Sequence, residues 1–137
     1  MESAWEQRPA GLPDSAVHGD AWPGNLVRTA YGQRLMMDLQ RFSVGPPEWD
    51  LVMTAVRRIT TGAVTAEEYA SFCDAYGMDV TTWSGYSILA GARELRMVTY
   101  AAQHAASHPE WRHQAQCRID CLRGRSGARP WNWKGIL

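Results

Sequence analysis

A mainly α fold (α+β), with several helices and one β-hairpin, is predicted by three features of this sequence. Apolar residues fall at helical spacing in two long stretches, Leu51, Val52, Ala55, Val56 and Ile59, then Leu89, Leu95, Val98, Ala101 and Ala102. Thr65-Ala66-Glu67-Glu68 has the form of a capping box, and Gly77 closes the helix it would start. Strand-forming residues are confined to two short runs on either side of Tyr31 and Gly32.

Taken in order, Met1 to Asp14 contains Pro9, Gly11 and Pro13 and reads as a lead-in with a short helical turn around Trp5. Ser15 to Val17 approaches the loop His18-Gly19-Asp20, and Pro23-Gly24 suits a turn that brings Asn25 back towards Asp20. Leu26 to Arg28 and Leu35 to Met37 form the hairpin, which leaves Asp38 at a strand end. Gly45-Pro46-Pro47 breaks the chain before a helix from Glu48 to Thr60. The capped helix runs to Tyr76. A long helix then covers Ser87 to His108, with Arg93, Glu94 and Arg96 on its wetter side, and a last helix covers Glu110 to Leu122. Residues 1–15 are the lead-in, 16–124 the lobe and 125–137 a basic, aromatic tail with Trp131, Trp133 and Lys134.

With 137 residues, 45% of them hydrophobic and seven tryptophans, the chain can bury the core of one domain. Its formal net charge is zero, which argues against a general nucleic-acid partner. No run approaches the roughly 20 apolar residues of a membrane span, and no basic start precedes an apolar core as in a signal peptide. No membrane partner is expected. The odd set Cys73, Cys117 and Cys121 has no Cys-x-x-Cys spacing, and reduced thiols in a cytoplasmic protein are the simple reading.

Chemistry concentrates between His18 and Leu51. Asp20, Asn25 and Asp38 each sit among apolar or turn-forming neighbours rather than on a solvated face. An Asp, an Asn five residues on and a second Asp after a hairpin are the groups that phosphoryl transfer requires. One carboxylate orients or deprotonates the acceptor hydroxyl, and the other two groups hold metal ions on the phosphates.

The run His18-Gly19-Asp20 with Asn25, the strand-borne Asp38 and Gly45-Pro46-Pro47-Glu48-Trp49-Asp50-Leu51 together resemble the aminoglycoside phosphotransferase family. The resemblance extends from about Ala16 to Leu122. It implies a protein-kinase-like C-terminal lobe, with Asp20 as the catalytic base and Asn25 and Asp38 as ligands of Mg²⁺. It implies too that His18 anchors the catalytic loop and that Asp50 accepts that loop's backbone N–H groups. Gln40 stands where the family often has an acidic residue.

By the same resemblance, the chain begins where the family's second lobe begins. The only Lys is Lys134, and Gly11 is the only glycine before Gly19, so the lysine and the glycine-rich loop that grip ATP are not expected within these residues. The function implied is ATP-dependent O-phosphorylation of a small hydroxylated acceptor, with the isolated chain inactive unless a first lobe joins it. The alternative is a non-catalytic binding or interaction domain derived from that fold. The partners implied are the acceptor and either a first lobe or a second copy covering an apolar patch near the hairpin.

Overall fold

The computed structural model describes residues 2–135. A short helix α1 (Glu2–Glu6) leads into strand β1 (Ser15–Val17), the hairpin strands β2 (Leu26–Arg28) and β3 (Arg34–Met36), and β4 (Ser43–Gly45). Four helices follow: α2 (Glu48–Ile59), α3 (Ala66–Tyr76), α4 (Tyr86–Ser107) and α5 (Arg112–Leu122). Single 3₁₀ turns cover Pro23–Asn25, Leu39–Arg41, Val80–Thr82 and Pro109–Trp111.

The two antiparallel strand pairs are separate. In the hairpin Leu26 faces Met36 and Arg28 faces Arg34, one residue earlier on the second strand than the apolar run suggested. The other pair joins β1 to β4, with Ala16 opposite Val44. It brackets the segment that carries the His18 loop and the hairpin. Sequence reading found no such pair, because two three-residue strands so far apart have no periodicity to detect.

Pro47 is the N-cap of helix α2, and its fixed φ suits a helix N-terminus. Glu48 and Asp50 lie in its first turn and Arg57 and Arg58 in its last, as the helix dipole favours. Its face of Leu51, Val52, Ala55 and Val56 packs on Val80, Leu89 and Ala90 to form the main core. Burying each of the larger side chains contributes about 1.5–3 kcal/mol. Helix α3 has the capping box in full: Glu68 N–H donates to Thr65 Oγ1 and Thr65 N–H donates to Glu68 Oε2. Gly77, at φ +88°, ends it.

Helix α4 is the spine, 22 residues long. Its first half meets α2. Its second half lies on α5 through Ala101, Ala105 and Ala115, where small side chains allow close approach. The sequence reading of its polar side needs correction. Arg93 and Glu94 are buried, whereas Leu95 and Ala102 are exposed. Arg93 stands four residues after Leu89 and eight before Ala101, and Glu94 stands four after Ala90 and four before Val98. Both therefore belong to the buried stripe by spacing, and both are buried because each has a charged partner. Ile59, at the end of α2, is also more exposed than its spacing suggested.

Both terminal segments are tied down. Leu12 N–H donates to the buried Glu48 Oε1, Trp83 Nε1–H donates to Ala10 O, and Trp5 meets Trp49 edge-on at 5.7 Å. At the other end Arg129 makes a two-bond pair with Glu94, Nε to Oε1 at 2.8 Å and Nη2 to Oε2 at 2.7 Å. Glu94 Oε1 also accepts from Thr60 Oγ1 at 2.6 Å. Trp131 N–H donates to Thr60 O, and Trp133 is buried beside Val98 and Cys121. A different surface is left bare around the hairpin, where Leu26, Leu35, Met37, Leu39, Phe42 and Val44 are all exposed. No helix among the described residues is long and apolar enough to cross a membrane.

Candidate active site

The site begins with the backbone of His18, Gly19 and Asp20, where five of the six peptide N–H and C=O groups have named partners. Asp50 accepts His18 N–H on Oδ2 at 2.6 Å and Gly19 N–H on Oδ1 at 2.9 Å. Gly19 O accepts from Trp49 Nε1 at 3.1 Å and from Arg93 Nη2 at 3.2 Å. Asp20 N–H donates to His18 Nδ1 at 3.2 Å, and Asp20 O accepts from Asn25 Nδ2 at 2.9 Å. With Nδ1 accepting, the His18 ring carries its proton on Nε2, which donates to Met37 O at 2.8 Å. Gly19 takes φ +84°, and a Cβ there would lie 2.6 Å from Arg41 O. Only glycine fits both the dihedral and the gap.

Asn25 ends a 3₁₀ turn opened by Pro23. Its amide nitrogen reaches both Asp20 O and, at 3.3 Å, Asp20 Oδ2. The amide oxygen is thereby left for another ligand. Met37 is held on both sides of its peptide, its N–H on Asn25 O at 2.7 Å and its C=O on His18. The next residue, Asp38, sits in the left-handed region at φ 59° and ψ 67°, a conformation in which Asp is better tolerated than most residues. Asp20, Asn25 and Asp38 thus line one cleft of about 710 Å³, floored by α2 and α4.

Arg93 is the residue that sequence reasoning misplaced. Its Nη1 lies 3.7 Å from Asp20 Oδ1, with the Arg side chain 2% exposed and the Asp side chain 28% exposed. Nη2 also donates to Trp49 O at 3.0 Å, and the guanidinium lies over the Trp49 ring, 3.9 Å from its centre. Burial pushes its pKa down to about 10, opposed by the charges of Asp20 and Asp50, so it stays cationic at neutral pH. Trp49 is half-buried against the main core and uses its indole N–H on the loop. The available signal for Arg93 was its place on the Leu89–Ala101 stripe, where an Arg calls for a buried partner.

Four more arginines belong to the same cleft. Arg41, Arg57, Arg96 and Arg118 line it, with Tyr100 and Trp133. Arg118 is buried, donates to Met97 O and Lys134 O, and lies over the Trp133 ring. Burial lowers its pKa. Among the described residues no cluster of three His, Cys, Asp or Glu side chains is arranged to hold a metal ion. The donors on hand are instead two carboxylates and one amide oxygen, hard oxygen ligands of the kind Mg²⁺ takes alongside water and phosphate.

A family model for the phosphotransferase enzyme family matches residues 1–91, which include this loop, the hairpin, α2 and the first turn of α4. The chain belongs to the phosphotransferase enzyme family. No curated protein and no solved structure matches it. For this family member, the matched region ends just before Arg93, so the Arg93–Asp20 pair joins a matched residue to an unmatched one.

Proposed function

We propose that this family member takes part in ATP-dependent transfer of a phosphoryl group to the hydroxyl of a small acceptor. The observation that supports it best is the Asn25 amide, whose nitrogen is spent on Asp20 while Asn25 and Asp38 line the same cleft. Asp20 is the base: its carboxylate is accessible from the cleft, and Arg93 and Asn25 fix its direction. It orients the acceptor hydroxyl and takes its proton as the new P–O bond forms and the bond from the γ-phosphorus to the departing ADP breaks. Asn25 and Asp38 would hold Mg²⁺, which when bound would neutralise charge on the nucleotide phosphates. His18 and Asp50 hold the loop backbone so that Asp20 need not be reorganised during the reaction.

These 137 residues carry no lysine before Lys134 and no glycine-rich loop before Gly19. We therefore assign the grip on the β- and γ-phosphates to residues outside them, in a first lobe on the same chain or another. The exposed apolar residues around the hairpin are the surface that such a lobe, or a second copy, would cover. A cytoplasmic location fits a consumer of ATP with three free cysteines.

The test measures transfer of labelled phosphate from ATP to a panel of hydroxylated acceptors, with and without a matching first lobe. Transfer is expected with that lobe and should fall by at least about a thousandfold in Asp20→Asn. Full activity in folded Asp20→Asn would remove Asp20 from its role. Tight acceptor binding with no transfer under any condition would favour a binding domain.

A further inference from the structure

We infer that the acceptor of this cleft is a hydroxylated oxyanion, a small molecule carrying a carboxylate or phosphate besides its reacting hydroxyl. The inference rests on the phosphotransferase reading above. Five arginines line the cleft, Arg41, Arg57, Arg93, Arg96 and Arg118, against two carboxylates, Asp20 and Asp38. Arg93 is already paired with Asp20. Among the described residues, none of the other four arginines has a carboxylate within 4.0 Å; the three ion pairs are Arg93–Asp20, Arg125–Asp120 and Arg129–Glu94.

Arg118 is the sharpest case. It is 4% exposed, its Nε meets no acceptor among the described residues, and its other contacts are two neutral carbonyls and the Trp133 ring. A buried guanidinium with neutral partners keeps an uncompensated charge, and buried charges are normally paired. Its Nη1 and Nη2 are held by those carbonyls, so Arg118 adds positive charge behind the cleft wall, and the forks of Arg41, Arg57 and Arg96 are the ones an oxyanion would meet.

Placement along α4 separates this anion site from the reacting end. Arg93, Arg96 and Tyr100 follow one another along the cleft wall. At 1.5 Å per residue, Arg96 and Tyr100 lie roughly 5 and 10 Å beyond Arg93 along the helix axis. The hydroxyl would meet Asp20, and the anionic group would sit one to two helical turns away, near Arg96 and Arg118. A polycationic aminoglycoside would face like charge along that wall and would be rejected.

The experiment follows arginine Nε–H resonances of the ¹⁵N-labelled natural full-length protein by NMR, with Arg96 assigned through Arg96→Gln. Inorganic phosphate, gluconate, glucose 6-phosphate, glucose and kanamycin are titrated, each with and without Mg²⁺ and a non-hydrolysable ATP analogue. Saturable shifts of the Arg96 and Arg118 resonances are expected with the oxyanions. Affinity for glucose 6-phosphate or gluconate should exceed that for glucose by about tenfold or more and fall by a similar factor in Arg96→Gln. Exposed Arg112→Gln on α5 should change nothing. Binding that survives the nucleotide analogue supports an acceptor anion. Displacement by the analogue assigns these arginines to nucleotide phosphates and overturns the inference, as does equal binding of glucose or tighter binding of kanamycin. Labelled transfer to the probes then separates the two readings. Transfer confined to neutral or cationic probes overturns this inference and leaves phosphoryl transfer standing. With a matching first lobe present, oxyanion binding without transfer to any probe counts against phosphoryl transfer and leaves the anion site standing.

Discussion

Arg93 on α4 reaches Asp20 in the His18 loop, Nη1 to Oδ1 at 3.7 Å, and the same guanidinium caps Gly19 O and Trp49 O. One buried side chain therefore sets the direction of the proposed base and seals two carbonyls beneath it. Arg93→Met keeps much of the apolar stem but leaves Trp49 O without this donor and Asp20 without its cation. Asp20 is partly solvated, so the loss should be moderate for a buried pair, about 2–3 kcal/mol by urea denaturation. Phosphoryl transfer should fall by more than stability explains, because Asp20 would lose its orientation.

Gly19 and Gly77 both sit at positive φ, yet only Gly19 has a backbone atom where a Cβ would go. Gly77→Ala should cost about 1 kcal/mol, the price of the dihedral alone. Gly19→Ala must also move the Arg41 backbone, so it should cost at least about 2 kcal/mol and disturb the Asp50 hydrogen bonds. Equal melting temperatures for the two variants would refute the comparison.

Asp79 ties the loop before α4 to α3. Its Oδ1 accepts from Thr81 Oγ1 at 2.6 Å, from Thr81 N–H at 2.9 Å and from Tyr69 O–H at 2.8 Å. These bonds, those from Thr81 foremost, hold its carboxyl below its ordinary value of 3.8. A depressed carboxyl pKa stabilises the fold fully above the unfolded value and loses that contribution as pH falls through the folded one. Stability should therefore decline below about pH 4, and Asp79→Asn should flatten that part of the pH–stability curve.

Arg129 is the only charged partner of the buried Glu94 among the described residues, and Thr60 is its other hydrogen-bond donor. Arg129→Ala should leave a buried carboxylate half-satisfied and cost about 1–3 kcal/mol, discounted because Arg129 itself is largely exposed. The double variant Arg129→Ala/Glu94→Gln should recover part of that loss.

The helices were readable because their determinants are local. The Thr65–Glu68 box, Gly77 and the Leu51–Val56 stripe each act within a few residues of chain. The hairpin was readable from Tyr31-Gly32, and the loop motif pointed to the residues that now share a cleft. What could not be read depends on distant partners. Arg93 and Glu94 look like solvated charges until Asp20 and Arg129 are placed beside them. Nor does the β1–β4 pair leave any signal in two three-residue runs. The arginine-lined wall of the cleft was unreadable for the same reason: Arg57, Arg96 and Arg118 come from three different helices.

The Met37 peptide has a further consequence. The hairpin strands share no ladder with β1 and β4, and the strand ends are anchored through Met37 N–H on Asn25 and Met37 O on His18. In hydrogen exchange the hairpin should behave as a separate cooperative unit, opening while the amides of α2 and α4 stay protected. Its amides should exchange early, and the Met37 amide should mark the boundary between the two units. Occupation of Asn25 and Asp38 would clamp both sides of that boundary. Slowed exchange across residues 26–36 would then report a ligand at the opposite end of the hairpin from its exposed tip.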